Sequence, residues 1–315
     1  MSALAARPWS AALLAGVLAL ALLAPILPLR DPAAQPDGLV LADRPPLWRA
    51  QALRMRDGTL RFGERIEPAP GAYLRTRAGR TESIRAADVA AVERPRYLLG
   101  TDGYGRDLLS RLIWGARTSL LVGIVAAAIA LLVGTLVGLA AGWSGGILDA
   151  LLMRATDAAL SIPRLFLALC LAALWGGSLT TTVVVLGLTS WMGAARLVRG
   201  EVLSARERDY VRAAQASGAR GTAIAFRHLL PAAAGVLAAE AALRVGSAVL
   251  LEATMSFLGL GVPPPAPSWG NVLADGRDRL VTAPWIATLP GIALALTVAA
   301  AARLAEPFAD EVRAP

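Results

Sequence analysis

The sequence predicts an all-α membrane protein of six transmembrane helices, with a small external insert after the first. Two observations predict the class and a third sets its orientation. Apolar residues make up 56% of the chain and charged ones only 17%, with a mean hydropathy of +0.56, which is above soluble usage. Apolar runs long enough to cross about 30 Å of hydrocarbon recur along the chain. Between two of them lies a polar stretch, residues 199–231, with Arg199, Arg206, Arg208, Arg212, Arg220 and Arg227 set against Glu201, Glu207 and Asp209. A short Arg-rich loop belongs on the cytoplasmic side, because translocating its charges is disfavoured.

Residues 1–29 form the N-terminal tail and first anchor, with the apolar run 11–29 read as an uncleaved span. A cleaved signal peptide is the rival, but Pro25 and Pro28 stand where a small-residue cleavage site would be. Residues 30–98 differ in kind: arginines and acids interleave, Pro and Gly are frequent, and no span occurs. Alternation in Thr59-Leu60-Arg61-Phe62 and in 72–76 suggests strands, and 81–92 could hold a helical turn. A docking module and a partly disordered linker are both open for this segment, which is expected to lie outside. The charge rule weakens for loops this long.

Residues 99–305 form the core, with five further spans. Asp102 and Asp107 among glycines resemble a calcium loop only superficially, since the remaining ligands are missing. Capping is the better account, with Thr101 or Asp102 starting a helix striped by Leu108, Leu109, Leu112 and Ile113. The run 119–141 is the second span, and Gly134, Gly138 and Gly142 recur along one face as a packing stripe. A turn at 142–146 leads into a span ending near Trp175, bent at Ile162-Pro163, with Asp157 and Arg164 near its polar end. The next span is expected over 180–198, and another over 232–260. The latter contains Glu240, Arg244 and Glu252, and ionisable groups at that depth need a partner or a wet cavity. Glu240 precedes Arg244 by four residues, the favourable helical pairing; an internal pair and a group on the translocation path are both open. A Pro-rich outer turn then places Trp269 at the membrane interface. The last span covers about 283–304, leaving 306–315 as a cytoplasmic tail, so both termini lie inside.

Within residues 199–231, 210–215 reads as a short helix, Gly218 and Gly221 break it, 222–230 starts a second, and Pro231 fits the first turn of the helix that follows. The result is a helix–turn–helix elbow. Its text, Ala213-Ala214, then Gly218, then Leu230-Pro231, resembles the EAA loop of ABC importer permeases, and Phe226-Arg227-His228-Leu229-Leu230-Pro231 is similar to the dipeptide/oligopeptide/nickel branch. The GTD…GRD…SRLI…GAR string at 100–117 and the SFLGLG…PSWGN string at 256–271 resemble the same branch, specifically the second of its two permease types. Arg212 stands where that family usually has Glu, and His228 where it has an aliphatic residue.

The resemblance, covering about residues 97–305, implies a type I ABC importer permease fold, with Arg212, Ala213, Ala214, Gly218, Leu230 and Pro231 in the loop that docks on the ATPase. It implies a second homologous permease subunit, two cytoplasmic ABC ATPases and an external substrate-binding protein as partners. Transport would run by alternating access, with peptides as the substrate or, as the alternative, nickel or another small solute. The expected location is the inner (cytoplasmic) membrane, in contact with the lipid bilayer.

Other classes fit less well. The chain has no Lys, so it lacks the residue a phosphate-binding P-loop requires, and the ATPase would be a separate chain. One His and one Cys without evident partners supply no catalytic set and no metal site, and no cofactor is implied. The net charge of +8 is explained by cytoplasmic loops facing anionic lipid rather than nucleic acid. A membrane scaffold that works through residues 30–98 is the remaining alternative.

Overall fold

The computed structural model describes residues 8–313, with side chains from Trp9 to Glu306. They fall into two compact units, one of residues 119–263 with 8–19 and 294–313, the other of 20–118 with 264–293.

Helix α1 (Pro8–Leu23) is apolar apart from Ser10 and ends short of the expected residue 29. Pro25 lacks an N–H and disfavours helix in the residue before it. The chain therefore turns, with the N–H groups of Ile26 and Leu27 both donating to the Leu23 carbonyl. A single helical turn, α2 (Gly38–Leu41), follows, capped by the Asp37 carboxylate.

Eight short strands come next: β1 (Trp48–Arg49), β2 (Gln51–Met55), β3 (Leu60–Gly63), β4 (Arg65–Ala69), β5 (Ala72–Arg77), β6 (Arg80–Arg85), β7 (Val89–Glu93) and β8 (Arg96–Tyr97). They pair antiparallel as β1-β8, β3-β2-β7 and β4-β5-β6. Ala78 and Gly79 join β5 to β6 with φ of 49° and 75°, the two positive angles a tight hairpin needs to match strand twist. Alternating residues bury Leu53, Met55 and Ile84 in one cluster, and Ala50, Ala52, Phe62 and Tyr97 with Val40 and Leu41 in another. The helical turn expected in 81–92 is confined to a 3₁₀ turn at Ala86–Asp88, between β6 and β7.

Helix α3 (Leu108–Ser144) has 37 residues and is about 55 Å long. It starts at Leu108, not at Thr101 or Asp102. Asp107 caps it, its Oδ1 accepting from the Leu109 N–H at 3.3 Å. Asp102 instead organises the loop before it. Fully buried, its carboxylate accepts from Arg106 Nε at 2.7 Å and Arg111 Nη1 at 2.8 Å, while Oδ1 takes the N–H groups of Tyr104 and Arg106. Asp275 accepts from Arg106 Nη2 at 2.6 Å and lies 3.1 Å from Arg111 Nη2. Burial pushes the Asp275 carboxyl up, with the Arg106 guanidinium opposing the shift. Asp107 is likewise raised by burial and held back by Arg30 at 3.1 Å.

Beyond α3 lie α4 (Gly146–Ser161), α5 (Arg164–Trp175), α6 (Leu179–Leu188), α7 (Met192–Arg206), α8 (Asp209–Ala216), α9 (Gly221–Ile224), α10 (Leu230–Ala232), α11 (Ala234–Phe257), α12 (Trp269–Asp275) and α13 (Trp285–Arg313). The α4–α5 pair bends by 84° at Ile162-Pro163. The expected continuous span over 180–198 is interrupted at Thr189–Trp191, between α6 and α7. Among the described residues, four helical stretches have the length and hydropathy to cross a membrane: Leu108–Ser144, Leu179–Arg206, Ala234–Phe257 and Trp285–Glu306. The bent pair makes a fifth if it is one span. Helix α1 is apolar but, at Trp9–Leu23 among the described residues, shorter than these, so the sixth expected span is not counted among them.

Trp269 also differs from expectation. It is buried, and its indole N–H donates to the Leu112 carbonyl at 3.0 Å. Gly115 leaves room for it, since a Cβ there would lie 3.3 Å from the Trp269 ring. In the other unit, Glu252 is fully buried on α11 and accepts from Ser119 Oγ at 2.6 Å and Ser256 Oγ at 2.7 Å. The core around it is Val122, Ala126, Val185, Leu186, Ala248 and Met255.

Candidate coupling elbow

The elbow is built on α7, which makes two kinds of contact. In one, the backbones of α3 and α7 approach without intervening side chains. A Cβ at Gly134 would lie 2.6 Å from Ala194 Cβ and 2.7 Å from the Trp191 carbonyl, and one at Gly142 would lie 2.8 Å from Val202 Cβ. Gly138 faces the Ala195 carbonyl in the same way. Small residues let helices close to this distance where apolar burial gives no drive. In the other, made by side chains, Arg199 holds Asp149 of α4 through two hydrogen bonds of 2.5 and 2.7 Å, and Arg196 pairs with Asp157. Arg206 closes the end of α3, donating to the carbonyls of Gly142 at 2.8 Å and Trp143 at 3.1 Å, with its guanidinium 5.8 Å from the Trp143 ring.

Helix α8 has one apolar anchor. Val211 is buried with Leu139, Val198, Val202, Ala205, Ile224, Ala225 and Leu229, while Trp143 and Ala214 pack on the cluster's edge. The rest of α8 is presented outward: Arg212 and Ala213 are exposed and Ala214 half-buried. Arg212 turns back to pair with Glu207, so its charge is partly satisfied within the elbow.

The helix ends in a Schellman motif. The Ala219 N–H donates to the Ala214 carbonyl at 3.1 Å and the Gly218 N–H to the Gln215 carbonyl at 3.0 Å, with Gly218 at φ +76°. That left-handed residue lets the carbonyls at the helix end find donors, and glycine adopts it without the Cβ penalty. Helix α9 then starts at Gly221, where a Cβ would lie 3.0 Å from Trp143 Nε1. A π-turn over Ala225–Leu229 replaces the expected continuous helix to Leu230. Leu230 and Pro231 open α10, with Leu230 half-buried and Pro231 exposed. His228 lies with its ring 6.0 Å from that of Tyr210.

Glu240 and Arg244 stand one helical turn apart on α11. Arg244 Nε donates to Glu240 Oε1 at 2.5 Å, and Nη1 donates to the Ser190 carbonyl, an acceptor at the α6–α7 break. Gly193 leaves the space the guanidinium occupies.

Val211, Trp143 and Arg206, which fix the elbow to α3, are not marked in the sequence as site residues. Val211 carries a faint signal, an aliphatic residue in a polar stretch. Trp143 and Arg206 are 63 positions apart, and only the packing of α3 on α7 brings them together.

A family model described as "binding-protein-dependent transport system inner membrane component" matches residues 134–311. The chain belongs to this family of transport-system membrane components, and its several membrane-length helices make it a multi-pass membrane protein. The di/tripeptide transport system permease protein DppC of Pseudomonas aeruginosa is 44% identical over 205 residues, covering 65% of this chain and 68% of that one. A putative peptide permease protein of Brucella suis is 42% identical over 207 residues, with the same coverage of 65% and 68%. Among solved structures, the inward-facing methionine ABC transporter MetNI aligns over 64% of this chain and 97% of that one, with a TM-score of 0.48 and 20% identity.

Proposed function

We propose that the chain is a permease subunit of an ATP-driven peptide importer, with the elbow as its docking element for the ATPase. The observation that carries the elbow's role is its build. A short helix is anchored by one valine and fixed to α3 and α7, while Arg212 and Ala213 face outward and a Schellman turn ends it at Gly218. A solvated connector needs no such anchoring. A docking helix that transmits force does, because a loose elbow would absorb the displacement instead of passing it on. The peptide substrate follows the names of the relatives reported above.

In this reading two ATPases sit on the cytoplasmic elbows of this chain and of a second, homologous permease. An external binding protein delivers the peptide. Residues 30–98 lie outside, α1 is the anchor before them, and both termini are cytoplasmic in the inner membrane. ATP-driven closure of the ATPases brings the two elbows together and reverses the access of the cavity between the permeases; hydrolysis resets it. The nucleotide chemistry belongs to the ATPases, and this chain converts their movement into access.

The test is reconstitution of the chain with a second permease, ATPases and a binding protein from the same cell. ATP-dependent accumulation of a labelled dipeptide, abolished when this chain is omitted, is the expected result. Accumulation that does not need this chain would overturn the assignment.

A further inference from the structure

A cavity of about 360 Å³ opens where α4 bends into α5 and α6 breaks before α7, lined by Leu160, Ile162, Pro163, Arg164, Thr189 and Arg244 among others. It lies at the bend of the α4–α5 pair, against the membrane-length stretches Leu179–Arg206 and Ala234–Phe257 and beside the middle of α11. Two arginines face it and their situations differ. Arg244 is engaged, by Glu240 and by the Ser190 carbonyl. Arg164 is half-buried, and no carboxylate or carbonyl among the described residues lies within ion-pair or hydrogen-bond distance of its guanidinium. The charged group acting on it is another cation, Arg244. Counting Glu240, the cavity therefore holds one positive charge in excess.

A lone cation at membrane depth is unfavourable unless it faces water or an anion. The uncommitted planar fork of Arg164 matches a carboxylate with two parallel hydrogen bonds. The volume equals that of about twelve waters, room for the end of a small peptide. Leu160, Ile162 and Pro163 offer it an apolar wall.

We propose that Arg164 is a substrate-binding residue that receives the C-terminal carboxylate of the transported peptide in this cavity, with Arg244, held by Glu240 and the Ser190 carbonyl, adding positive potential beside it. Every unmodified peptide carries that group whatever its side chains, so one guanidinium can serve substrates of varied sequence. The inference rests on the peptide-importer reading above.

The test uses the permease pair with its ATPases in nanodiscs, without the binding protein, so that the binding protein's own selectivity does not intervene. Equilibrium binding of labelled dialanine and of its C-terminal amide is compared. The parent should prefer the free acid by about ten-fold, the difference one charge-assisted pair supports. Arg164→Gln should abolish the preference and Arg164→Lys should retain part of it. No preference in the parent would mean that lipid or the partner permease already neutralises Arg164, and would overturn the proposal, as would an unchanged preference in Arg164→Gln. Arg164 holds no bond that the fold needs, so the Gln variant should assemble normally. A second measurement needs no substrate: Leu160→Cys in a Cys170→Ser background is treated with anionic and cationic methanethiosulfonates. Arg164→Gln should lower the ratio of their rates by about ten-fold, and an unchanged ratio would count against the site. ATP-driven dipeptide uptake by the full system separates the two readings. Uptake with an unaltered Arg164→Gln binding profile sinks only the carboxylate site, whereas no peptide uptake at all sinks the importer reading and this inference with it.

Discussion

Asp107 is pulled two ways: burial raises its carboxyl, and the neighbouring Arg30 lowers it again by less. Between the ordinary value of 3.8 and the raised folded value, the folded chain holds more protons than the unfolded one. Stability therefore falls as pH rises through that window. Asp107→Asn removes this slope, so the variant's melting temperature relative to the parent should climb as the pH is raised from the ordinary carboxylate value of 3.8; parallel melting profiles in detergent would contradict the assignment. Glu240 and Arg244 allow a cleaner experiment. Glu240→Gln or Arg244→Leu alone should lower folded yield, because each leaves a charge unpaired at membrane depth. The double change should recover part of the loss, through a coupling of about 0.5–3 kcal/mol. Singles that assemble fully and alter only uptake would place the pair's role in transport rather than in folding.

At the scale of elements, the elbow's Gly218 has open space around it, with nothing within 4 Å of where a Cβ would stand, so a substitution there is felt through the backbone alone. A side chain at φ +76° costs about 1–2 kcal/mol, enough for a roughly ten-fold shift away from the turn. Gly218→Val should cut uptake by a similar factor with membrane abundance preserved, and Gly218→Ala should fall between. Ala214→Arg should weaken ATPase co-purification through bulk and charge on α8. Normal hydrolysis and co-purification in both Gly218→Val and Ala214→Arg would reduce the elbow to a connector. The elbow was legible in the sequence because its signals are local: Gly218, Pro231 and the arginine run act within a turn or two of themselves. What was not legible depends on residues far apart in the chain. Asp102 reads as a helix cap until Arg106 and Arg111 meet it, with the distant Asp275 held by the same two guanidiniums. Trp269 reads as an interfacial aromatic until Gly115 makes room for its ring. The break at Thr189–Trp191 has no Pro or Gly to announce it; the Arg244 guanidinium on Ser190 accompanies it.

For the whole molecule, orientation is the decisive test. In a Cys170→Ser background, since Cys170 is exposed, Ser83→Cys on β6 should react with an impermeant maleimide in intact cells, and Ser217→Cys should react only after the cells are opened. The opposite pattern would invert the arrangement and remove the elbow from the ATPases. The close seating of α3 on α7 bears on how any push would travel. Gly134, Gly138 and Gly142 leave no clearance against the α7 backbone, and Arg206 ties the C-terminal end of α3 to the same helix. The two helices form a stiff beam with negligible slip along the contact. The compliant point is the interrupted stretch Thr189–Trp191, where the helical ladder between α6 and α7 is broken. A load applied at α8 would therefore pass into α3 through this contact, and bending would fall at Ser190, beside the cavity of Arg164 and Arg244.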